Sequence, residues 1–270
     1  GYKNEGNSDV IELLGSAFSG TYLSGEYLYE PLPGVKSLGC TVTDVNPYVA
    51  YETDIREIAD LLPFKLDYII FDACFMGGVE VAYQFKDKCR YMCFSQTEIL
   101  SDGMDYTTMI SDLLEGNRAD LVSLATNFFN HYNLSSENRS ATISVVDCSK
   151  LGTLAAVCRN LFRNYDISKD NVDASKLQKY FYYTNHAWFY DLYSIVQAAG
   201  ASETELSDLQ WALDECILYK AATPTFALYG FPIDTHSGLS MYLPEKERTQ
   251  LNSYYRELTW NKLTGLLKIE

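Results

Sequence analysis

Apolar and polar positions fall into short blocks whose period changes along the chain. Val10, Ile11, Leu13 and Leu14 form a first apolar block, broken by Gly15 and followed by Ala17-Phe18-Ser19-Gly20. It reads as a strand entering a glycine turn. Residues 21–52 are rich in Gly, Pro and Tyr and read as a long loop, of a length that in a compact domain serves function or motion. Asp54, with Glu57 three residues on, marks a helix start, and Pro63 its end. Leu66-Asp67-Tyr68-Ile69-Ile70-Phe71 is a nearly continuous apolar run of strand length, the pattern of a central parallel strand covered on both faces. It leads into Asp72-Ala73-Cys74, then Gly77-Gly78, then a helix over 79–88. Beyond this the pattern predicts a strand over 90–95, mainly helix over 105–131, a strand over 141–146 and a helix over 149–165. Residues 176–222 read as mostly helical, and Gly238-Leu239-Ser240-Met241-Tyr242-Leu243-Pro244 as a late strand stopped by proline.

Strands alternating with helices predict an α/β fold: a mostly parallel central sheet flanked by helices, with a helical C-terminal portion. Residues 1–150 are expected to form the core. Residues 151–270 are expected to add a helical segment and a late strand that complete the same unit. No apolar run reaches the roughly 18 residues of a membrane span. The chain is 47% hydrophobic and 21% charged, an ordinary soluble composition that argues against disorder. Its net charge of −15 disfavours nucleic acid, whose phosphates call for a basic footprint, and suits cationic partners such as basic peptides. Cysteines stand at 40, 74, 89, 93, 148, 158 and 216, without a CxxC pair or a Cys/His cluster. Neither a zinc site nor a disulfide framework is implied, and no cofactor is expected.

Cys74 is the most informative position. It sits where an apolar strand ends and a glycine turn begins, and open α/β sheets build their sites beyond the carboxyl ends of strands. The start of the following helix favours a thiolate. The alternative is a buried structural cysteine, the commoner fate of this residue. A cysteine nucleophile needs a base, normally histidine, and the chain has three: His131 in a polar helix end, His186 in an aromatic stretch, and His236 just before the late strand. None lies in a local motif that marks a base.

The block Asp72-Ala73-Cys74-Phe75-Met76-Gly77, continued by Val79-Glu80-Val81-Ala82-Tyr83, resembles the nucleophile motif of the clostripain-like cysteine peptidases, peptidase family C11, whose fold is related to caspases. Ser95-Gln96-Thr97-Glu98, the strand 238–244 and Trp260-Asn261-Lys262-Leu263-Thr264-Gly265 resemble family segments in the same order. The resemblance implies Cys74 as nucleophile, its backbone N–H helping to form an oxyanion hole. It implies cleavage after Arg or Lys, with Asp72 as one wall of an acidic pocket and Asp102 as a second acid. It also implies an extracellular or envelope location in bacteria.

One position departs from the pattern. The family's catalytic histidine precedes a glycine after an upstream strand, and here Ser19-Gly20 occupies that turn. Ser19 thus stands at the expected histidine position, while Gly20 keeps its backbone N–H for the oxyanion hole. A serine hydroxyl is not basic near neutral pH, so activity is expected to be impaired. The alternative function is a pseudopeptidase that binds basic peptides or proteins without cleaving them. His236 is a further, weaker substitute for the missing base. The resemblance also implies one or more β-α units ahead of the Ser19 strand, so a separate light chain or a missing segment is an expected partner. Lys36 is the best processing site in the loop.

Overall fold

The computed structural model describes residues 54–100, 102–134, 139–182 and 186–268, together with short strands β1 (Thr41–Val42) and β2 (Ala50–Tyr51) that pair with each other. Ser19, Gly20, Lys36 and the strand predicted over 10–20 lie outside these residues. Helix α1 (Ile55–Leu61) starts at the predicted cap: the Asp54 carboxylate accepts from the Arg56 backbone N–H at 2.8 Å and also holds the Arg56 guanidinium. The helix stops at Leu61, directly before Leu62-Pro63, since the residue before proline is driven out of helical backbone.

The main sheet has the order β3-β4-β5-β8. Its strands are β3 (Leu66–Ile70), β4 (Cys89–Phe94), β5 (Thr142–Asp147) and β8 (Ile217–Ala222). Only β3 and β4 run parallel; β4–β5 and β5–β8 are antiparallel. The expected mostly parallel sheet is therefore a mixed one. The cause is the connection. Between β4 and β5 lie two helices, α3 (Tyr106–Leu114) and α4 (Leu121–Leu134). They pack side by side: Asn127 donates to Asp112 at 2.8 Å, and the Tyr132 hydroxyl to the Gly103 carbonyl at 2.8 Å. The first helix leaves the carboxyl end of β4 and the second returns to it, so β5 starts there and runs back.

Helix α2 (Val79–Phe85) follows β3, and α5 (Leu151–Asn164) follows β5. The stretch 176–222, expected to be mostly helical, is about one third strand. It holds β6 (Lys179–Tyr182), β7 (His186–Asp191), α6 (Leu192–Ala198), α7 (Glu203–Cys216) and then β8. Aromatic residues dominate 179–191 and suit a pleated, half-buried surface. Strands β6 and β7 join β11 (Ser240–Tyr242) in a second, antiparallel sheet ordered β11-β7-β6. The hairpin β9 (Thr225–Phe226) and β10 (Phe231–Pro232) follows β8. Helices α8 (Thr249–Glu257) and α9 (Thr259–Thr264) close the described chain.

Two apolar clusters cover the two faces of the main sheet. One runs from Ile55 through α2, α5 and α7 to Trp260. Trp260 is fully buried, edge-on to Tyr83 and Phe162, so α9 is pinned against α2 and α5. The other lies under α3 and α4, with Leu121, Leu124, Ala125, Phe128 and Tyr132 as its helical half. Burial at this scale is the main favourable term in folding. No described helix is long and apolar enough to cross a membrane.

Candidate active site

Cys74 lies just past the carboxyl end of β3, on a segment held like an extra strand. The Phe71 N–H donates to the Cys93 carbonyl at 2.9 Å, Phe75 to Thr97 at 2.9 Å and Gly77 to Ser95 at 2.7 Å. Phe75 has φ of 57°, the left-handed region that bulky residues avoid, and such strain persists only where the surroundings over-determine it. Here the Phe75 ring stacks on Phe189 of β7 at 5.7 Å, fixing the turn that follows the thiol. The thiol is buried against Ile99, whose N–H points at Sγ from 3.3 Å. On the far side the Ser240 N–H donates to the Gly77 carbonyl at 3.0 Å, and Gly78 bridges Ser240. The Cys74 loop is thus clamped between the residues after β4 and strand β11.

A buried polar network stiffens that clamp. Gln96 donates through Nε2 to the Gly238 carbonyl at 2.8 Å and to Ser144 at 3.1 Å. The Thr142 hydroxyl accepts from the backbone N–H of Gln96 and of Thr97, both at 3.0 Å. Ser95, Gln96, Thr97 and Thr142 are all fully buried, and their hydrogen bonds tie β4, β5 and the turn before β11 together, with Gln96 Oε1 left without a partner. Glu80 on α2 makes the third tie. Its Oε1 accepts from the Tyr242 N–H at 2.9 Å and from the Tyr255 hydroxyl at 3.0 Å, linking α2 to β11 and α8. Burial pushes the Glu80 carboxyl up to about 7.

The predicted acids come together at the same end of the sheet. Asp72 follows directly from β3, and its carboxylate accepts from the hydroxyl of Tyr106, the first residue of α3. Asp102 is exposed in the turn just before that helix. Tyr132 registers both: its hydroxyl is pushed up first by burial, then by the negative charges of Asp102 and Asp72. Asp72 thus stands two residues before Cys74, and Asp102 stands in the turn that leads into the helix opened by Tyr106.

The described histidines do not supply an evident base. His131 is exposed on α4, edge-on to Tyr132. His186 opens β7. His236 faces the Tyr180 hydroxyl through Nδ1 at 3.1 Å, and burial, with Lys220 nearby, drives its imidazole down to about 3. An imidazole that weak accepts no proton near neutral pH, which counts against His236 as a substitute. Among the described residues no group of His, Cys, Asp and Glu is arranged to hold a metal ion. A separate cleft of about 540 Å³ opens at the opposite end of the strands, between Arg90, Tyr91 and Arg118, and contains none of the predicted site residues.

Sequence reasoning missed Tyr106, and gave no role to Thr142 or to Gln96, which it quoted only as part of a family-like segment. The last two carry a readable signal: polar residues placed directly after or inside apolar strand patterns, where only a buried network satisfies them. Glu98, one residue before Ile99, is of the same kind. It is buried, and burial pushes its carboxyl from 4.5 to about 8, moderated by the Tyr229 hydroxyl. The folded protein thus holds that proton more tightly than the unfolded chain. The stability linked to it is whole below pH 4.5 and is lost as pH rises to about 8. Glu98→Gln is expected to remove about 2–3 kcal/mol of the fall in stability between pH 5 and pH 8. Urea unfolding at a series of pH values checks this, and an unchanged slope contradicts it.

The comparisons with known proteins agree with this geometry. The sequence profile of the clostripain family, peptidase C11, matches residues 48–265. A search among curated proteins gives no match. Among solved structures, the chain is similar to an inactive zymogen C11 protease from Parabacteroides distasonis, with 35% identity and a TM-score of 0.69 over 78% of this chain. It spans 62% of that relative's length. It is also similar to a clostripain from Bacteroides thetaiotaomicron in complex with the peptide inhibitor BTN-VLTK-AOMK, with 29% identity and a TM-score of 0.70 over 79% of this chain and 95% of that one. A secreted C11 cysteine protease from the same organism shares 28% identity, with a TM-score of 0.71 over 88% of this chain and 65% of that one. The matched span contains the Cys74 loop, both acids and the β11 clamp, and on it the chain belongs to the clostripain family of cysteine peptidases.

Proposed function

We propose that this chain is a clostripain-like cysteine endopeptidase homologue that seats an Arg or Lys side chain between Asp72 and Asp102 and presents the scissile carbonyl to Cys74. The observation that carries this reading is the placement of Asp72 two residues before the thiol, on a segment bonded along its length to residues 93–97. Asp72 and Asp102 also act on the same tyrosine. A desolvated cationic side chain needs carboxylate partners, and in this reading Asp72 and Asp102 supply them.

In the proposed reaction Cys74 Sγ attacks the carbonyl carbon. The oxyanion is held by backbone N–H groups, those of Cys74 and Gly20 in this reading. The C–N bond breaks as the leaving amine takes a proton, leaving a thioester that water hydrolyses. Proton transfer is the weak step, because Ser19 stands where the family places histidine. Ser19 and Gly20 lie outside the described residues and outside the matched span 48–265, so their roles rest on the order of sequence elements. Ser19 is also what favours a second reading, a pseudopeptidase that binds basic peptides through the same pocket. An extracellular or envelope location fits the relative described as secreted. A separate light chain, or cleavage at Lys36, fits the relative described as an inactive zymogen.

Covalent capture tests the site without requiring turnover. Peptidyl acyloxymethyl ketones ending in Lys or Arg are expected to add one mass increment to the chain, and none to Cys74→Ala. Asp72→Asn is expected to slow capture about tenfold or more, the worth of a charge-assisted hydrogen bond. A norleucine-ended probe is expected to be equally slow. Capture at another cysteine, or at a rate indifferent to Asp72, overturns the assignment.

A further inference from the structure

We propose that Cys89 and Cys148 form a site of disulfide modification, closing into one bond when the chain folds in an oxidising compartment. Their sulfurs lie 3.6 Å apart, and both are buried, free thiols. Sequence spacing does not pair them, since 59 positions separate them; the sheet does. Cys89 opens β4, and Cys148 follows β5 at the head of a short 3₁₀ turn, Cys148–Lys150. Tyr91 pairs with Asp147 in the antiparallel β4–β5 ladder, so the two cysteines stand on diagonal positions at the same end of neighbouring strands. Both belong to the apolar cluster that includes α2 and α5. A disulfide needs about 2.05 Å between its sulfurs, so the pair is short of bonding by about 1.5 Å. Two other thiols have backbone neighbours instead: Cys74 lies against Ile99, and Cys216 donates to the Leu213 carbonyl at 3.3 Å.

The chemistry is thiol–disulfide exchange with a low-molecular-weight disulfide. One cysteine thiolate attacks that disulfide, releases one small thiol and becomes a mixed disulfide. The second cysteine attacks the protein-bound sulfur, releases the second small thiol and closes the Cys89–Cys148 bond. Two protein sulfurs are oxidised, the small disulfide is reduced to two thiols, and these take the two protons. In the folded chain, contact with Cys89 and then burial push the Cys148 thiol up, and the thiolate is the attacking form. Exchange therefore belongs to the folding reaction, before the sulfurs are covered. The bond staples the start of β4, just after α2, to the turn that leads into α5. It closes a loop that holds β4, α3, α4 and β5, and a crosslink over so long a loop restricts the unfolded chain.

Refolding the reduced full chain in a mixture of reduced and oxidised glutathione, then trapping free thiols with N-ethylmaleimide in denaturant, tests the proposal by mass. Of the seven cysteines, five are expected to take the label, Cys74 among them. The other two are expected in one linked peptide pair that joins Cys89 to Cys148. Cys148→Ala is expected to label at all six of its remaining cysteines. The bonded chain is expected to melt about 5–10 °C above the same chain after dithiothreitol, a difference that Cys148→Ala lacks. Seven labels on the refolded unmodified chain, or a linked peptide that joins any other pair, overturns the proposal. A Cys89–Cys148 bond whose reduction leaves the melting temperature in place overturns its role as a staple.

Discussion

Ser19→His is expected to raise hydrolysis of Lys- and Arg-containing fluorogenic peptides by about 10²–10⁴-fold, and adding Cys74→Ala to that variant is expected to return it to the baseline. The range is what a positioned general acid–base contributes, about 3–5 kcal/mol of transition-state stabilisation. In the proposed reading, Cys74 and the two acids are the other groups this gain draws on. The thiol lies on a loop fixed from both sides by Thr97, Ser95 and Ser240, and the acids lie beside it. His236, driven down to about 3 by burial, has little to add. A gain that depends on Cys74 identifies this chain as an endopeptidase scaffold lacking its base. No gain means that residue 19 does not face the thiol. Hydrolysis already present in the unmodified chain and dependent on Cys74 means that another group takes the proton.

Gly77→Ala is expected to destabilise the protein by about 3–5 kcal/mol, combining overpacking with the loss of buried hydrogen bonds. A Cβ at this position would lie 2.8 Å from the Gln96 backbone nitrogen and 2.8 Å from its Cδ. The backbone atom cannot give way without parting the Cys74 segment from residues 93–99. The Gly77–Ser95 bond of 2.7 Å and the Gln96–Gly238 bond of 2.8 Å would both suffer. Capture of Cys74 is expected to fall with stability, since the same contacts aim the thiol. Gly152→Ala in α5 is the natural control: a Cβ there meets nothing within 4 Å, and replacing a helical glycine gains about 0.5–1 kcal/mol. Denaturant midpoints of the two variants check both signs. A Gly77→Ala variant as stable as the unmodified chain contradicts the close-packing account.

The structure around Cys74 was legible because local and global signals agree there. The run 66–71 forms β3, ending at Ile70, and the thiol follows the strand end as expected. Asp54 caps its helix, and the pattern over 79–88 yields α2. Less legible were features decided by distant contacts. The strand period marks β5, yet its direction depends on α3 and α4 forming a pair, which no window on β5 contains. Residues 179–191 become strands because β11, some 50 residues later, pairs with them at Met241–Tyr190. The partial exposure of β3 has the same origin: among the described residues it pairs only with β4. Asp72 and Asp102 could be named from the sequence, but the residue joining Asp72 to α3 could not. Tyr106 reads as an ordinary first-turn residue until the helix is placed against the strand end.

The central claim is that Cys74 and Asp72 belong to one site for basic peptides. The most direct measurement is a crystal structure of the chain captured by a peptidyl acyloxymethyl ketone ending in lysine. The account predicts a bond from Cys74 Sγ to the probe's methylene carbon, with the lysine ammonium within hydrogen-bond distance of the Asp72 carboxylate and turned toward Asp102. A lysine side chain that points away from both acids, or an adduct on a different cysteine, would contradict it.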